Sequence, residues 1–349
     1  MLRKLAFRSK IGTEMRPTND NHQGRLTESA AFASEPSGTL PSVRRDSNAS
    51  ISSSPLGLHI VHQPDKLFGD IVFVHGFGGS PYKTWAWDQD NQDSFWPAWL
   101  PDCDLALATF RISTFGYNAK LKGSATSLGI VDIAQGLLFE LSAAFDGQSQ
   151  SRSRPIIFIA HSLGGLVVKK AYTLGKHDEQ YKGVTQRICG MIFLSTPHRG
   201  SQYAKMMKNI LSTAPTGTCS NHYIAALALQ STTMQEINES FRIHCKGIKL
   251  CSFFETLKTH LTVRNIWLVD RHSAVLDSPN EQVVSMDANH HSISNAALER
   301  VWSAHCVEFG AVDEPLQDKD DGDGGFPVTN EEQDGAIMPD DRELPPVMF

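Results

Sequence analysis

The stretch Pro155-Ile156-Ile157-Phe158-Ile159-Ala160-His161-Ser162-Leu163-Gly164 constrains this chain more than any other. Its unbroken apolar run reads as a strand buried on both faces. The residues that follow, Gly165-Leu166-Val167-Val168-Lys169-Lys170-Ala171-Tyr172, read as a helix. Between the two stands one serine, with the small residues Ala160 and Gly164 two places away on either side. A strand that turns into a helix this abruptly brings neighbouring Cβ atoms into collision, so small flanking residues are a steric requirement. The turn lifts the Ser162 hydroxyl above the sheet edge. Behind it lies a helix N-terminus, which favours negative charge. Strand, lone serine and helix make the pattern of a nucleophile elbow. Glycine is the usual first flank, and Ala160 is the next smallest choice.

The rest of the chain agrees with that reading. Short apolar runs alternate with helix-spaced patterns between two polar tails, which predicts an α/β fold with a mostly parallel sheet covered on both faces. Ile71-Val72-Phe73-Val74 is a predicted strand ending at His75-Gly76-Phe77-Gly78-Gly79. Asp104 to Phe110 is another, and Ile130, Ile133, Ala134, Leu137, Leu138 and Leu141 recur at helical spacing. Further strands are expected at Gly190–Leu194, Leu250–Phe254, Ile266–Val269 and Gln282–Met286, with a closing helix over Ala296–Phe309. The hydrolase-like domain is placed at residues 56–312. Residues 201–247 inside it read as two helices and a candidate lid.

The flanks, 1–55 and 313–349, have the composition of disordered tails. Charge is uneven between them. Asp313 to Glu343 holds twelve acidic residues and two basic ones, and the first fifty residues hold eight basic and five acidic ones; against a net charge of −6 for all 349 residues, this leaves the body close to neutral. No basic stripe of the kind that binds nucleic acid is present. Six scattered cysteines without a C-x-x-C pair read as reduced thiols, and no apolar run is long enough to span a bilayer. The first ten residues are basic and free of acid but lack the apolar core of a secretory signal, so the expectation is an intracellular, non-secreted protein. The acidic run Asp318–Asp323 departs from a calcium-loop spacing and is assigned no metal.

Serine needs a base within hydrogen-bond reach and an acid to orient that base. On this fold the order along the chain is serine, acid, histidine. That order nominates Glu255, directly after Phe253-Phe254, as acid, with Asp270 as alternate. It nominates His290, the first histidine after the last strand, as base, with His291 as alternate. The oxyanion hole is expected from the backbone N–H groups of Leu163 and Phe77, supported by His75, Gly76, Gly78 and Gly164. His161 is expected to point into the scaffold. His198 stands after the wrong strand to serve as base.

Five blocks together resemble the serine-esterase and lipase-like family related to serine active site-containing protein 1, fungal members especially. They are Gly69–Gly79 with Lys83-Thr84-Trp85, Arg154–Lys169, Gly190–Ser201, Ser252–Thr256 and Val269–Ala274. The resemblance spans residues 58–309. It implies an α/β-hydrolase fold with Ser162 as nucleophile, an association with lipid remodelling, and mitochondrial or endoplasmic-reticulum membranes. The paired His290-His291 departs from the single histidine usual in relatives. The resulting expectation is a serine hydrolase of a lipid acyl ester that needs no cofactor and no metal. A thioesterase or acyltransferase of the same fold, and a non-catalytic interaction module, are the alternatives. The lid (Met206, Met207, Ile210, Leu211, Ile224, Leu227, Leu229, Met234, Ile237) and Trp85, Trp87, Trp96 and Trp99 are the candidate acyl-contacting or peripheral membrane-contacting residues.

Overall fold

The computed structural model describes residues 55–119, 129–145, 154–199, 234–260 and 265–297. The expected tails, apart from Pro55, and residues 201–233 of the expected lid lie outside the described residues. Nine strands are described: β1 (Gly57–His62), β2 (Gly69–Val74), β3 (Phe110–Gly116), β4 (Ile156–His161), β5 (Ile188–Leu194), β6 (Lys249–Glu255), β7 (Thr259–His260), β8 (Asn265–Ile266) and β9 (Glu281–Met286). Seven form one sheet in the order β1-β3-β2-β4-β5-β6-β9. Within it only β1 runs antiparallel, against β3. This is the α/β-hydrolase architecture. The two-residue strands β7 and β8 pair separately.

Ile71–Val74 of β2 and Ile156–Ala160 of β4 are apolar and buried on both faces of the sheet. Alternate residues feed opposite layers, as the period of two requires. Val72, Val74, Phe158 and Ala160 join one buried cluster, in which α1 (Ile130–Phe145) and α2 (Leu163–Lys176) lie. Ile71, Phe73, Ile157 and Ile159 join the other, with Trp85, Trp96, Leu100 and Ile293. α1 forms where predicted, and its Ile130, Ala134, Leu137, Leu138, Leu141 and Phe145 stripe is buried. At its start the Asp132 carboxylate accepts the Gly129 N–H at 2.8 Å.

Two expected strands are corrected. Asp104–Phe110 is not a strand; Leu107–Thr109 forms a 3-10 turn and the strand begins at Phe110. The Asp104 carboxylate accepts the Ala106 N–H at 2.9 Å, which stabilises the turn, and Leu105 is left 90% exposed. Ile266–Val269 keeps only its first residue in a strand, and the Val269 N–H is turned toward a side chain described below. β1 was not anticipated.

Part of the expected lid is core. Residues 234–244 are helical, and Met234, Ile237 and Phe241 are buried against Tyr172 and Phe193. Trp85 and Trp96 are fully enclosed beside Phe73, so neither touches a membrane, while Trp87 and Trp99 are half-buried and packed edge to face on each other. Residues 293–297 are helical, and residues 298–309 of the expected closing helix lie outside the described residues. Among the described residues, no helix is long and apolar enough to cross a membrane.

Candidate active site

Adjacent strands β2 and β4 leave the middle of the sheet in the same direction, and their C-terminal ends frame the point where the strand order reverses. Open α/β sheets place their ligands there. Ser162 follows β4 directly. Its φ of 52° and ψ of −122° put it in a backbone conformation rare for a residue with a side chain. Close packing enforces the turn. A Cβ on Gly164 would sit 2.4 Å from the Val74 carbonyl oxygen, and one on Gly165 would sit 2.2 Å from Thr196 Oγ1. The Ser162 N–H donates to the Leu194 carbonyl at 2.9 Å, which pins the turn to β5.

His290 follows β9 by four residues, and its Nε2 lies 3.0 Å from Ser162 Oγ. Its ring is buried, and burial drops its pKa to about 4. A neutral imidazole is the form that can take a proton from serine. Glu255 is the last residue of β6, and its Oε1 lies 3.5 Å from His290 Nδ1. The same oxygen accepts the Val269 N–H at 2.7 Å. Burial lifts the Glu255 carboxyl to about 8, with the Val269 N–H and the nearby His291 pulling the other way. Glu255 Oε2 and His290 Nδ1 have no hydrogen-bond partner among the described residues. Carboxyl and imidazole thus face each other at a separation that a small shift closes.

The alternates lie nearby but make other hydrogen bonds. The Asp270 carboxylate accepts the Ser273 N–H at 2.8 Å and holds a turn. His291 is exposed, and its backbone N–H donates to Asn289 Oδ1 at 3.0 Å. His161 Nε2 donates to the His290 carbonyl at 2.9 Å. His198 Nδ1 accepts from Lys169 Nζ at 2.9 Å, and its Nε2 faces Ser252 Oγ at 3.4 Å, so it belongs to a separate buried network with Asn238. Burial holds the pKa of both His198 and Lys169 well below their ordinary values.

The loop after β2 lies against the serine, since a Cβ on Gly76 would be 2.8 Å from Ser162 Cβ. His75 shapes that loop. Its Nδ1 donates to the Gly76 carbonyl at 2.9 Å, its Nε2 accepts the Tyr117 N–H at 3.3 Å, and the Tyr117 hydroxyl donates to the His75 carbonyl at 2.8 Å. The two rings stack with centroids 4.2 Å apart, and burial keeps His75 neutral with a pKa of about 4. Gly78 has a φ of 71°, which suits glycine, and its N–H donates to the Ala119 carbonyl at 2.9 Å. Phe77 follows Gly76 in this loop, and Leu163 follows Ser162 as the first residue of α2. The supporting parts played by Tyr117 and Val269 were not legible in the sequence, because each acts through its backbone or across a long separation.

Residues 62–267 match the family described as "Putative serine esterase (DUF676)". The chain belongs to this family. Among curated proteins it is 27% identical over 267 residues to Protein SERAC1 of Danio rerio and 27% identical over 262 residues to Protein SERAC1 of Homo sapiens. Each alignment covers 68% of this chain and 38% of the relative, so the chain matches well under half the length of these proteins. Among solved structures, Bacillus licheniformis lipase BlEst2 is 18% identical with a TM-score of 0.46, covering 70% of this chain and 95% of that one. The Pyrococcus furiosus esterase Pf2001 is 16% identical with a TM-score of 0.39, covering 70% and 81%. Membership of the serine esterase family supports a serine hydrolase.

Proposed function

We propose that this protein hydrolyses an ester through a covalent acyl-enzyme on Ser162. The observation that carries this reading is the 3.0 Å approach of His290 Nε2 to Ser162 Oγ, with the serine held in a strained turn at the sheet's switch point. Ser162 Oγ attacks the ester carbonyl while its proton passes to His290 Nε2. The carbonyl oxygen becomes an oxyanion, which the N–H groups of Leu163 and Phe77 stabilise. Collapse expels the alcohol, which takes the proton from His290. Water then attacks the acyl-enzyme, giving its proton to His290, and the second collapse returns that proton to Ser162 and releases the acid. Glu255 orients the imidazole and stabilises its charged form once the pair closes.

The acyl group is proposed to be that of a lipid, in keeping with the family resemblance. Met234, Ile237, Trp85 and Trp96 do not contribute to this reading, because they are core. Half-buried Trp87 and Trp99 remain as apolar surface.

Intact-mass labelling with a fluorophosphonate tests the mechanism. The parent chain and His291→Ala are expected to gain one probe mass, and Ser162→Ala none. His290→Ala is expected to label more than about a hundredfold slower, as removal of a general base dictates. A folded parent chain that does not label, or labelling that survives Ser162→Ala, overturns the reading. A panel of p-nitrophenyl esters of increasing chain length then tests the lipid assignment. Preference for acetate over long chains would defeat it.

A further inference from the structure

At the opposite end of the strands, below the N-terminal ends of β2, β3 and β4, lies a cavity of about 680 Å³. Gln63, Asp65, Lys66, Arg111, Phe145 and Arg154 are among the residues that line it. Asp70 pairs with Ile156 at this end of the sheet, six residues before Ser162, so the cavity is roughly 20 Å from the serine at the strand rise. Its size falls in the range of small-molecule sites.

Arg111 and Arg154 of the lining are tied to a buried carboxylate and a third guanidinium group, Asp70 and Arg187, behind it. Asp70, 1% exposed, accepts from Arg111 Nε through one oxygen and from Arg187 Nη2 through the other, both at 2.6 Å. Arg187 Nε donates to the Arg154 carbonyl at 2.7 Å. The Phe145 ring lies 4.0 Å from the Arg111 guanidinium carbon and 5.1 Å from that of Arg187, which fixes the planes of both. Asp70 therefore uses up its two oxygens and still leaves donors over. Arg111 Nη2 and Arg154 Nε are buried and have no partner among the described residues, and Arg111 is only 7% exposed. Burial lowers the Arg187 pKa, and so do the charges of Arg154 and Arg111, while Asp70 raises it; the three cations are close enough to repel. Lys66 adds a third positive charge to the lining beside Arg111 and Arg154, against the single carboxylate of Asp65.

A buried guanidinium donor without an acceptor is costly, and an acceptor with several oxygens relieves it. Guanidinium forks match the geometry of phosphate oxygens, and charge-assisted bonds of this kind are the stronger ones. We infer that this cavity is a second site, separate from the serine, that binds a ligand bearing a phosphate group through Arg111, Arg154 and Lys66. A bare phosphate leaves much of the volume unfilled, so the natural ligand is a phosphate ester, either a free small molecule or the headgroup of a phospholipid.

Calorimetric titration of the full chain at constant ionic strength tests the site, with inorganic phosphate and glycerol 3-phosphate as probes. Saturable binding is expected, tighter for glycerol 3-phosphate. Arg154→Gln is expected to weaken it more than about tenfold, the loss of one charge-assisted bond. Lys66→Gln is expected to weaken it less. Both variants leave the Asp70 pairs in place, and fluorophosphonate labelling of Ser162 serves as an independent check that they are folded. Sedimentation with phosphatidylcholine vesicles containing phosphatidic acid separates the two sources. Arg154-dependent pelleting identifies a headgroup, and titration without pelleting identifies a free ester. Absence of binding to either soluble probe and to the vesicles overturns the inference, as does binding that Arg154→Gln leaves unchanged.

Discussion

His161 Nε2 donates to the carbonyl oxygen of His290 at 2.9 Å, so the residue before the candidate nucleophile holds the backbone of the candidate base. The His161 ring is buried, and burial keeps its pKa well below the ordinary value, so the bond is made by the neutral tautomer with its proton on Nε2. Geometry between Ser162 and His290 is thereby set from both sides of the turn. His161→Leu removes the clamp while leaving Ser162 and His290 in the chain. Ester hydrolysis is expected to lose about tenfold to a hundredfold in kcat with little change in KM, the signature of a displaced reacting group. A change confined to KM would mean that the clamp shapes binding instead.

Gly164 of the elbow makes a steric prediction, with Gly136 of α1 as an internal control. A Cβ on Gly164 would press on the carbonyl oxygens of Val74 and His75 at 2.4 and 2.5 Å, and this end of β2 cannot withdraw without disturbing the sheet. Gly164→Ala is expected to cost about 3 kcal/mol or more in urea unfolding. Gly136 in α1 has nothing within 4 Å of the same built atom. Gly136→Ala should stabilise the chain by about 0.5–1 kcal/mol through helix propensity alone. Equal effects at the two positions would refute the steric account.

The elbow was legible because its constraints are local: an apolar run, small residues at fixed offsets and a helix pattern lie within one stretch of chain. The order of serine, acid and histidine nominates Glu255 with Asp270 as alternate and His290 with His291 as alternate; the structure places His290 Nε2 3.0 Å from Ser162 Oγ and Glu255 Oε1 3.5 Å from His290 Nδ1. β3 was missed for the opposite reason. Its Arg111, Ser113 and Thr114 are buried although polar, and the partner that makes burial of Arg111 tolerable, Asp70, lies on another strand. A pattern of side-chain polarity cannot announce a pair formed across 41 residues. β1 was missed because an edge strand with only partly buried residues carries little apolar signal.

That same pair makes the next prediction. Asp70 is the shared partner of Arg111 and Arg187, and all three are buried. Removing one member of a buried ionic group leaves uncompensated charge, which costs more than the intact group contributes. Asp70→Asn is expected to destabilise the fold by about 3–5 kcal/mol, measured by urea unfolding. A loss below about 1 kcal/mol would show that water or another acceptor already shares those guanidinium groups.

Glu255 makes the last prediction, because its carboxyl is raised to about 8 by burial from an ordinary value of 4.5. Between those values the folded chain keeps a proton that the unfolded chain has lost, so stability falls as pH rises through this window. His290 has the opposite sign. Its pKa drops from 6.5 to about 4, so the unfolded chain binds the extra proton, and stability rises with pH up to 6.5 and then levels off. Above pH 6.5 the Glu255 contribution is no longer masked by the histidine. Buried Lys169, also lowered, adds a slope of its own, but that slope is common to parent and variant. Glu255→Gln keeps the shape and removes the titration. The unfolding free energy of the parent minus that of Glu255→Gln is therefore expected to fall by about 2 kcal/mol between pH 6.5 and 8. Parallel curves across that range would mean that the carboxyl is already ionised at neutral pH, and that the 3.5 Å separation from His290 closes in solution into a full ion pair.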